Sequence, residues 1–199
     1  MSAAELARLG QAFEEAARTG KLPIGIAALR VLALTGCRKG EILNLRWEEV
    51  DFENACLRLP DSKTGRKVVP LGAAALAVLN DVPRFESNPF VLAGEHTGTR
   101  YGGVERLWRW TRDRAGLPGV RIHDLRHSYA AMGAASGDSL LVIGAILGHA
   151  NASTTKRYAH LTDHPVKAAA DRIAGAINAA LTSRPAAGDV VPLGRRGSR

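Results

Sequence analysis

The sequence predicts a mainly α-helical fold carrying one small three-stranded antiparallel sheet, an α+β class. Three observations lead there. Helical periodicity of apolar residues dominates both ends of the 199-residue chain, with Ser or Asp ahead of several segments and Gly just behind them. Between Trp47 and Leu71 the period changes to short alternating runs split by turn-rich segments. An apolar fraction of 46% over this length supports one substantial core rather than two.

Taken in order, Ser2 to Arg18 reads as an amphipathic helix, with Ser2 as N-cap and Glu5 three residues on completing a capping box. Gly20 and Pro23 break it. Ile24 to Leu34 forms an apolar helix that stops at Thr35-Gly36, and a short helix begins near Arg38 and runs through Ile42, Leu43 and Leu45. Strands are expected at Trp47 to Val50, Ala55 to Leu59 and Lys67 to Leu71, separated by turns at Asp51 to Asn54 and Asp61 to Arg66.

Helical spacing returns at Ala73 to Leu79, and a Pro- and Gly-rich connection from Pro83 to Gly98 leads to a helix at Gly103 to Ala115, closed by Gly116. His123 to Ser136 reads as a helix with Asp124 near its start. Asp138 is expected to cap the next, which reaches Leu147 with Gly148 at its end. Another helix starts after Asn151. A last amphipathic helix follows Pro165 and runs through Val166, Ile173 and Ile177 to Leu181. Residues 1–181 are therefore read as one domain, and 182–199 as a flexible basic tail.

The formal charge of +8 points to a polyanionic partner. The tail, with Arg184, Arg195, Arg196 and Arg199 against Asp189, supplies +3 of it and leaves +5 upstream. Cys37 and Cys56 are the only cysteines and lack metal-ligand spacing, so neither a disulfide framework nor a zinc knuckle is expected. The N-terminus lacks the basic region and apolar core of a signal peptide, and no apolar stretch approaches the length of a membrane span. A soluble protein of the reducing cytoplasm is the expectation.

Several residues bear on chemistry. Arg38 stands at a helix N-terminus, where an arginine is mildly unfavourable unless an anion such as phosphate sits there; the competing reading is a surface arginine paired with Glu41. Lys63 lies in a charged hairpin turn, either a mobile ammonium able to protonate a leaving alkoxide or a solubilising tip. His123 and Arg126, three apart on one helix face, have the spacing to bracket a phosphate, unless the histidine is simply buried. His123/His127 and His160/His164 are four apart but lack the His-Glu-x-x-His pattern, so no metal is expected. Tyr158 alone reads as packing, and the two short helices around Gly148 also mimic a helix-turn-helix DNA reader.

The series Thr35-Gly36-Cys37-Arg38-Lys39-Gly40-Glu41, then Lys63, His123-Asp124-Leu125-Arg126-His127, Leu147-Gly148-His149 and Tyr158 resembles the tyrosine recombinase, or phage integrase, family. The resemblance covers about residues 1 to 181 and implies the catalytic-domain fold of that family. It matches Arg38 and Arg126 to the family's arginine pair, and Lys63 to its hairpin lysine, with Lys67 a weaker alternative. It matches His123 to the start of the His-x-x-Arg motif, His149 to the later His-or-Trp position, Tyr158 to the nucleophile, and Glu41 to the acidic support of the first arginine.

The activity it implies is site-specific DNA recombination: cleavage and rejoining through a covalent 3′-phosphotyrosine intermediate, as in DNA integration, with no cofactor. Double-stranded DNA is the implied partner, with a tetramer assembled on it through the C-terminal helix or tail, and a nucleoid-associated location in the cytoplasm. The family's separate N-terminal core-binding domain is expected to be absent from this sequence. Arg66, Arg100, Arg106 and Arg109 are candidates for holding the DNA backbone or, equally, solvated faces. Type IB topoisomerase-like nicking and a noncatalytic helix-turn-helix module remain as alternatives.

Overall fold

A computed structural model describes residues 1–62, 65–148 and 153–156. Helices α1 (Ala3–Arg18), α2 (Pro23–Thr35) and α3 (Lys39–Leu43) lead into a short 3₁₀ turn at Trp47–Glu49. A sheet of β1 (Val50–Asp51), β2 (Cys56–Ser62) and β3 (Gly65–Pro70) follows. Helices α4 (Ala73–Asn80), α5 (Val104–Arg114), α6 (His123–Ala135), α7 (Leu140–Leu147) and α8 (Ser153–Lys156) complete the described chain. The fold is mainly helical with one three-stranded antiparallel sheet in the order β1-β2-β3. Lys63, His149, Tyr158, the expected helix to Leu181 and the tail from 182 lie outside the described residues.

The core is organised by α2, which packs against α1, α3, α4, α5 and α6. Its sequence is apolar apart from the exposed Arg30 and the terminal Thr35, as a helix covered on most sides requires, and Ala28, Leu29, Val31 and Leu32 are fully enclosed. At the other end of the chain's packing, α6 and α7 share a smaller apolar cluster of Ala130, Ala134, Ile143 and Leu147. Nothing among the described helices is long and apolar enough to cross a membrane.

Local chemistry explains most boundaries. The capping box of α1 forms as the sequence implies: Glu5 N–H donates to Ser2 Oγ at 3.2 Å and Ser2 N–H to Glu5 Oε2 at 2.7 Å. Helix α2 ends because Gly36 adopts a left-handed φ of 63° while its N–H still reaches Leu32 O. A side chain there has no room: a Cβ on Gly36 would lie 2.7 Å from Leu147 Cδ2 and 2.8 Å from Tyr129 Cδ1.

Two expectations need correction. Trp47 to Val50 is not a strand. Glu49 folds back to accept the Arg46 N–H at 2.8 Å, which closes a 3₁₀ turn and leaves only Val50 and Asp51 to pair with Leu57 and Cys56. Asp138 does not cap α7. Its N–H is committed to Gly133 O in the turn that ends α6, so Ser139 becomes the cap and accepts the Val142 N–H at 3.2 Å.

The hairpin is tighter than its composition implies, with Ser62 pairing with Gly65 across residues 63 and 64. Along β3 the side chains alternate, Lys67 and Val69 buried, Arg66 and Val68 exposed. That alternation turns Lys67 inward.

Candidate active site

The loop between α2 and α3 carries the first cluster. Thr35 Oγ1 donates to Val31 O at 2.7 Å and accepts the Cys37 N–H at 3.3 Å, which fixes the chain just ahead of Arg38. Arg38 is the N-cap of α3, and Glu41 reaches back from the first turn to accept its N–H at 2.9 Å on Oε2. The same carboxylate takes the Arg38 guanidinium through Oε1 at 2.9 Å. Lys67 Nζ completes the group at 3.2 Å from Oε2.

The pairing with Glu41 expected as the alternative reading of Arg38 is present, and the same contacts have the geometry an acidic support would need. The two readings are compatible, because the carboxylate is buried while the guanidinium stays 26% exposed and reaches outward. Burial pushes the Glu41 carboxyl up, but the Arg38 N–H, the Lys67 charge and the side-chain hydrogen bonds outweigh it and hold the group below its ordinary 4.5. Glu41 is thus an anion, and it orients Arg38.

Arg126, on the first turn of α6, is buried. Its Nη1 donates to Gly36 O at 2.7 Å and its Nη2 to Leu147 O at 2.8 Å. Both acceptors are helix-end carbonyls, which need such donors and hold the planar guanidinium in one plane. The geometry joins three distant segments: the α2–α3 loop two residues from Arg38, the start of α6, and the end of α7 one residue before Gly148.

His123 opens α6 and stands in the field of this cluster. Although the residue as a whole is exposed, partial covering of the imidazole lowers its pKa from 6.5, and the Arg126 charge lowers it further. Arg121 and Arg38 act in the same direction, with Asp124 opposing. The shift favours the neutral imidazole, the form able to accept a proton. His123 and His127 meet edge to face with ring centroids 4.9 Å apart. Among the described residues no set of three or more His, Cys, Asp or Glu is placed to hold a metal ion. Cys37 is buried, and burial raises its thiol pKa, which makes it a packing residue rather than a nucleophile.

A cleft is lined by Lys39, Glu105, Trp108, Arg109, Arg112, Arg121, Ile122 and His123. Four of these eight are lysine or arginine against one carboxylate, an electrostatic match for a polyanion. Arg109, expected to hold a backbone, lies on it. The other three candidates do not line it: Arg66 is exposed on β3, Arg100 is exposed where the chain bridges to Ala93, and Arg106 lines a separate hollow with Lys21, Tyr101 and Trp110. Lys39, Arg112 and Arg121 were not singled out from the sequence. Arg112 at three residues from Arg109 on α5, and Lys39 beside Arg38, are the signals that mark the shared face.

The described residues thus unite Arg38, Glu41, His123 and Arg126, and add Lys67. Lys63, His149 and Tyr158 lie outside them, although Gly148 and Ser62 fix the chain immediately before two of the three.

Comparison with known proteins bears on the family and the fold. Residues 1–164 match the sequence model of the phage integrase family. The shufflon-specific DNA recombinase of Escherichia coli is 34% identical over 130 residues, covering 64% of this chain and 32% of that protein. A tyrosine recombinase of Thermosipho africanus (strain TCF52B) is 34% identical over 142 residues, 68% of this chain and 49% of that protein. The chain spans half the length of these relatives or less.

Among solved structures, XerA recombinase superimposes with a TM-score of 0.67 at 25% identity, covering 93% of this chain and 64% of that one. The catalytic domain of bacteriophage HP1 integrase shares the fold with a TM-score of 0.64 at 22% identity, covering 86% of this chain and 92% of that one. With a family match over most of its length and the same fold as these two structures, the chain belongs to the phage integrase family, the tyrosine recombinases.

Proposed function

We propose that the chain cleaves and rejoins DNA at specific sites, with Tyr158 attacking a backbone phosphorus to leave a 3′-phosphotyrosine and a free 5′-hydroxyl. The observation that carries this reading is the bond from Arg126 to the Gly36 carbonyl, which ties one guanidinium to the loop bearing the other, with the His123 imidazole beside them. Two fixed cations act on the nonbridging oxygens as negative charge grows toward the pentavalent state, where preorganised donors are worth most.

The phosphodiester exchanges one ester for another, so no nucleotide cofactor is required. A phenol of ordinary pKa near 10 needs a base, and neutral His123 supplies it; the departing 5′-oxygen needs a proton, assigned to Lys63. His149 contributes a hydrogen bond to the phosphate or to Tyr158. Backbone contacts come from the cleft of Lys39, Arg109, Arg112 and Arg121, with Arg66, Arg100 and Arg106 as outlying contacts. Double-stranded DNA is the partner, in keeping with the XerH recombinase, a fold relative seen bound to its difH substrate, with a TM-score of 0.68 and 20% identity.

Recombination joins paired sites, so this reading includes four copies on DNA, linked through the C-terminal segment beyond the described residues, and work at the nucleoid. The test is a nicked suicide duplex that traps the covalent complex. Wild-type protein forms an adduct stable to denaturant, and Tyr158→Phe forms none; equal trapping by both removes the proposal. Relaxation of a supercoiled plasmid by single protomers would favour topoisomerase action instead.

A further inference from the structure

We propose that Lys67 is a positioning residue for strand cleavage, acting on Arg38 through Glu41; the inference rests on the recombinase reading above. Strand alternation carries Lys67 to the inward face of β3, where its side chain is only 5% exposed and the neighbouring inward residue is Val69. An ammonium is a costly choice for such a position, since an apolar side chain would fill the space without desolvating a charge. Its partner explains the choice.

Glu41 presents two oxygens with separate duties. Oε2 accepts from Lys67 Nζ at 3.2 Å and from the Arg38 N–H at 2.9 Å, while Oε1 accepts from the Arg38 guanidinium at 2.9 Å. The terminal carboxylate torsion of a glutamate is broad and soft, so pinning Oε2 from two directions is what aims Oε1. Removing Lys67 frees that torsion and, with it, the guanidinium. The Lys67 stem also fills the space above the bare Cα of Gly148, where a Cβ would come within 3.0 Å of both its Cδ and Cε. One side chain therefore braces the arginine support and the turn that leads into His149.

This arrangement separates Lys67 from the proton donor. Its Nζ is buried against an anion, whereas a donor must reach the leaving oxygen and then be reprotonated. The experiment measures single-turnover cleavage at saturating suicide DNA, together with DNA affinity, for Lys67→Met, Lys67→Arg, Glu41→Gln and the double variant. Residues that orient metal ligands from outside typically cost about 10–100-fold when lost, and a loss of that size is expected here by the same logic of orientation.

Lys67→Met should lose that factor in rate with little change in Kd, and Lys67→Arg should recover most of it. In the Glu41→Gln background, removing Lys67 should change the rate far less than in wild type, the signature of action through Glu41. If Lys67→Met alone fails to fold, the double variant, which removes both buried charges together, is compared with Glu41→Gln: equal rates support action through Glu41, and a further loss of about 10–100-fold overturns it. Wild-type cleavage by Lys67→Met overturns the inference, as does an equal proportional loss in both backgrounds. Rescue of Lys67→Met by DNA with a 5′-bridging phosphorothiolate, whose leaving group needs no proton, overturns it by making Lys67 the acid. A wild-type protein that forms no adduct overturns the recombinase reading and this inference with it; adduct formation with an unaffected Lys67→Met overturns the inference alone.

Discussion

Arg126 donates to the carbonyl of Gly36, 90 residues earlier, at 2.7 Å, and so fastens the α6 arginine to the loop that presents Arg38. A second bond to Leu147 O at 2.8 Å adds the end of α7 to the same joint. A lysine in place of Arg126 keeps the charge but has no planar fork to serve two carbonyls lying in different elements.

Arg126→Lys should therefore lower cleavage by about 10²–10³, the usual loss for a preorganised donor, while DNA affinity changes much less. Stability should drop by about 1–3 kcal/mol as a buried carbonyl loses its partner. Single-turnover rates, titrated binding and thermal melting read the three effects separately, and a wild-type rate with unchanged melting would count against the joint.

Gly36→Ala tests the same joint from its other side. The left-handed φ of 63° costs an alanine about 1–2 kcal/mol, and the Cβ must displace Leu147 and Tyr129 at a further cost of about 1–3 kcal/mol. Urea unfolding should show the loss, and cleavage should fall because the carbonyl that holds Arg126 moves. An alanine variant as stable and active as wild type would show that the loop tolerates displacement.

As the proposed base, His123 should set the acid limb of the pH profile. Covering of its ring and the Arg126 charge hold it below the ordinary 6.5, so the proton-accepting form persists to lower pH than a free imidazole would allow. The cleavage rate for free enzyme and DNA should accordingly fall with a midpoint below pH 6.5, and His123→Ala should remove that limb. A midpoint above 6.5 would reverse the sign of the argument.

Glu41 carries an acid-side stability term. Its carboxyl is held below 4.5 in the fold, so its ionised form contributes stability fully present above that value and lost as pH falls through the lowered pKa. Glu41→Gln leaves buried Lys67 without its anion and should cost about 3–5 kcal/mol at pH 7. The gap between the two proteins in urea should narrow as pH falls below 4.5; a gap independent of pH would mean that Glu41 is not acting as a charge.

Much of this was legible in the sequence, for reasons that can be named. The Ser2–Glu5 capping box, the stop at Gly36 and the change of period between Trp47 and Leu71 are local signals, and local hydrogen bonding fulfils them. Arg38, Glu41, His123 and Arg126 were likewise visible as types and spacings.

Tertiary facts were harder to read. The acceptors for Arg126 are main-chain carbonyls, which leave no trace in residue identity. Lys67 sits among the charges of the hairpin, and only its alternation with Val69 marks it as inward-facing. The cleft of Lys39, Arg109, Arg112 and Arg121 depends on how α3, α5 and the start of α6 meet, which no single segment encodes. At Trp47 a strand-like composition yielded to a side-chain cap from Glu49.

The central claim is that Arg38, His123 and Arg126 serve one phosphorus atom attacked by Tyr158. Peptide mapping by mass spectrometry after trapping on suicide DNA tests it most directly. The account predicts a nucleotide adduct on the peptide containing Tyr158, formed about 10²–10³ more slowly in Arg126→Ala. An adduct on a different residue, or on Tyr158 at an undiminished rate without Arg126, would contradict it.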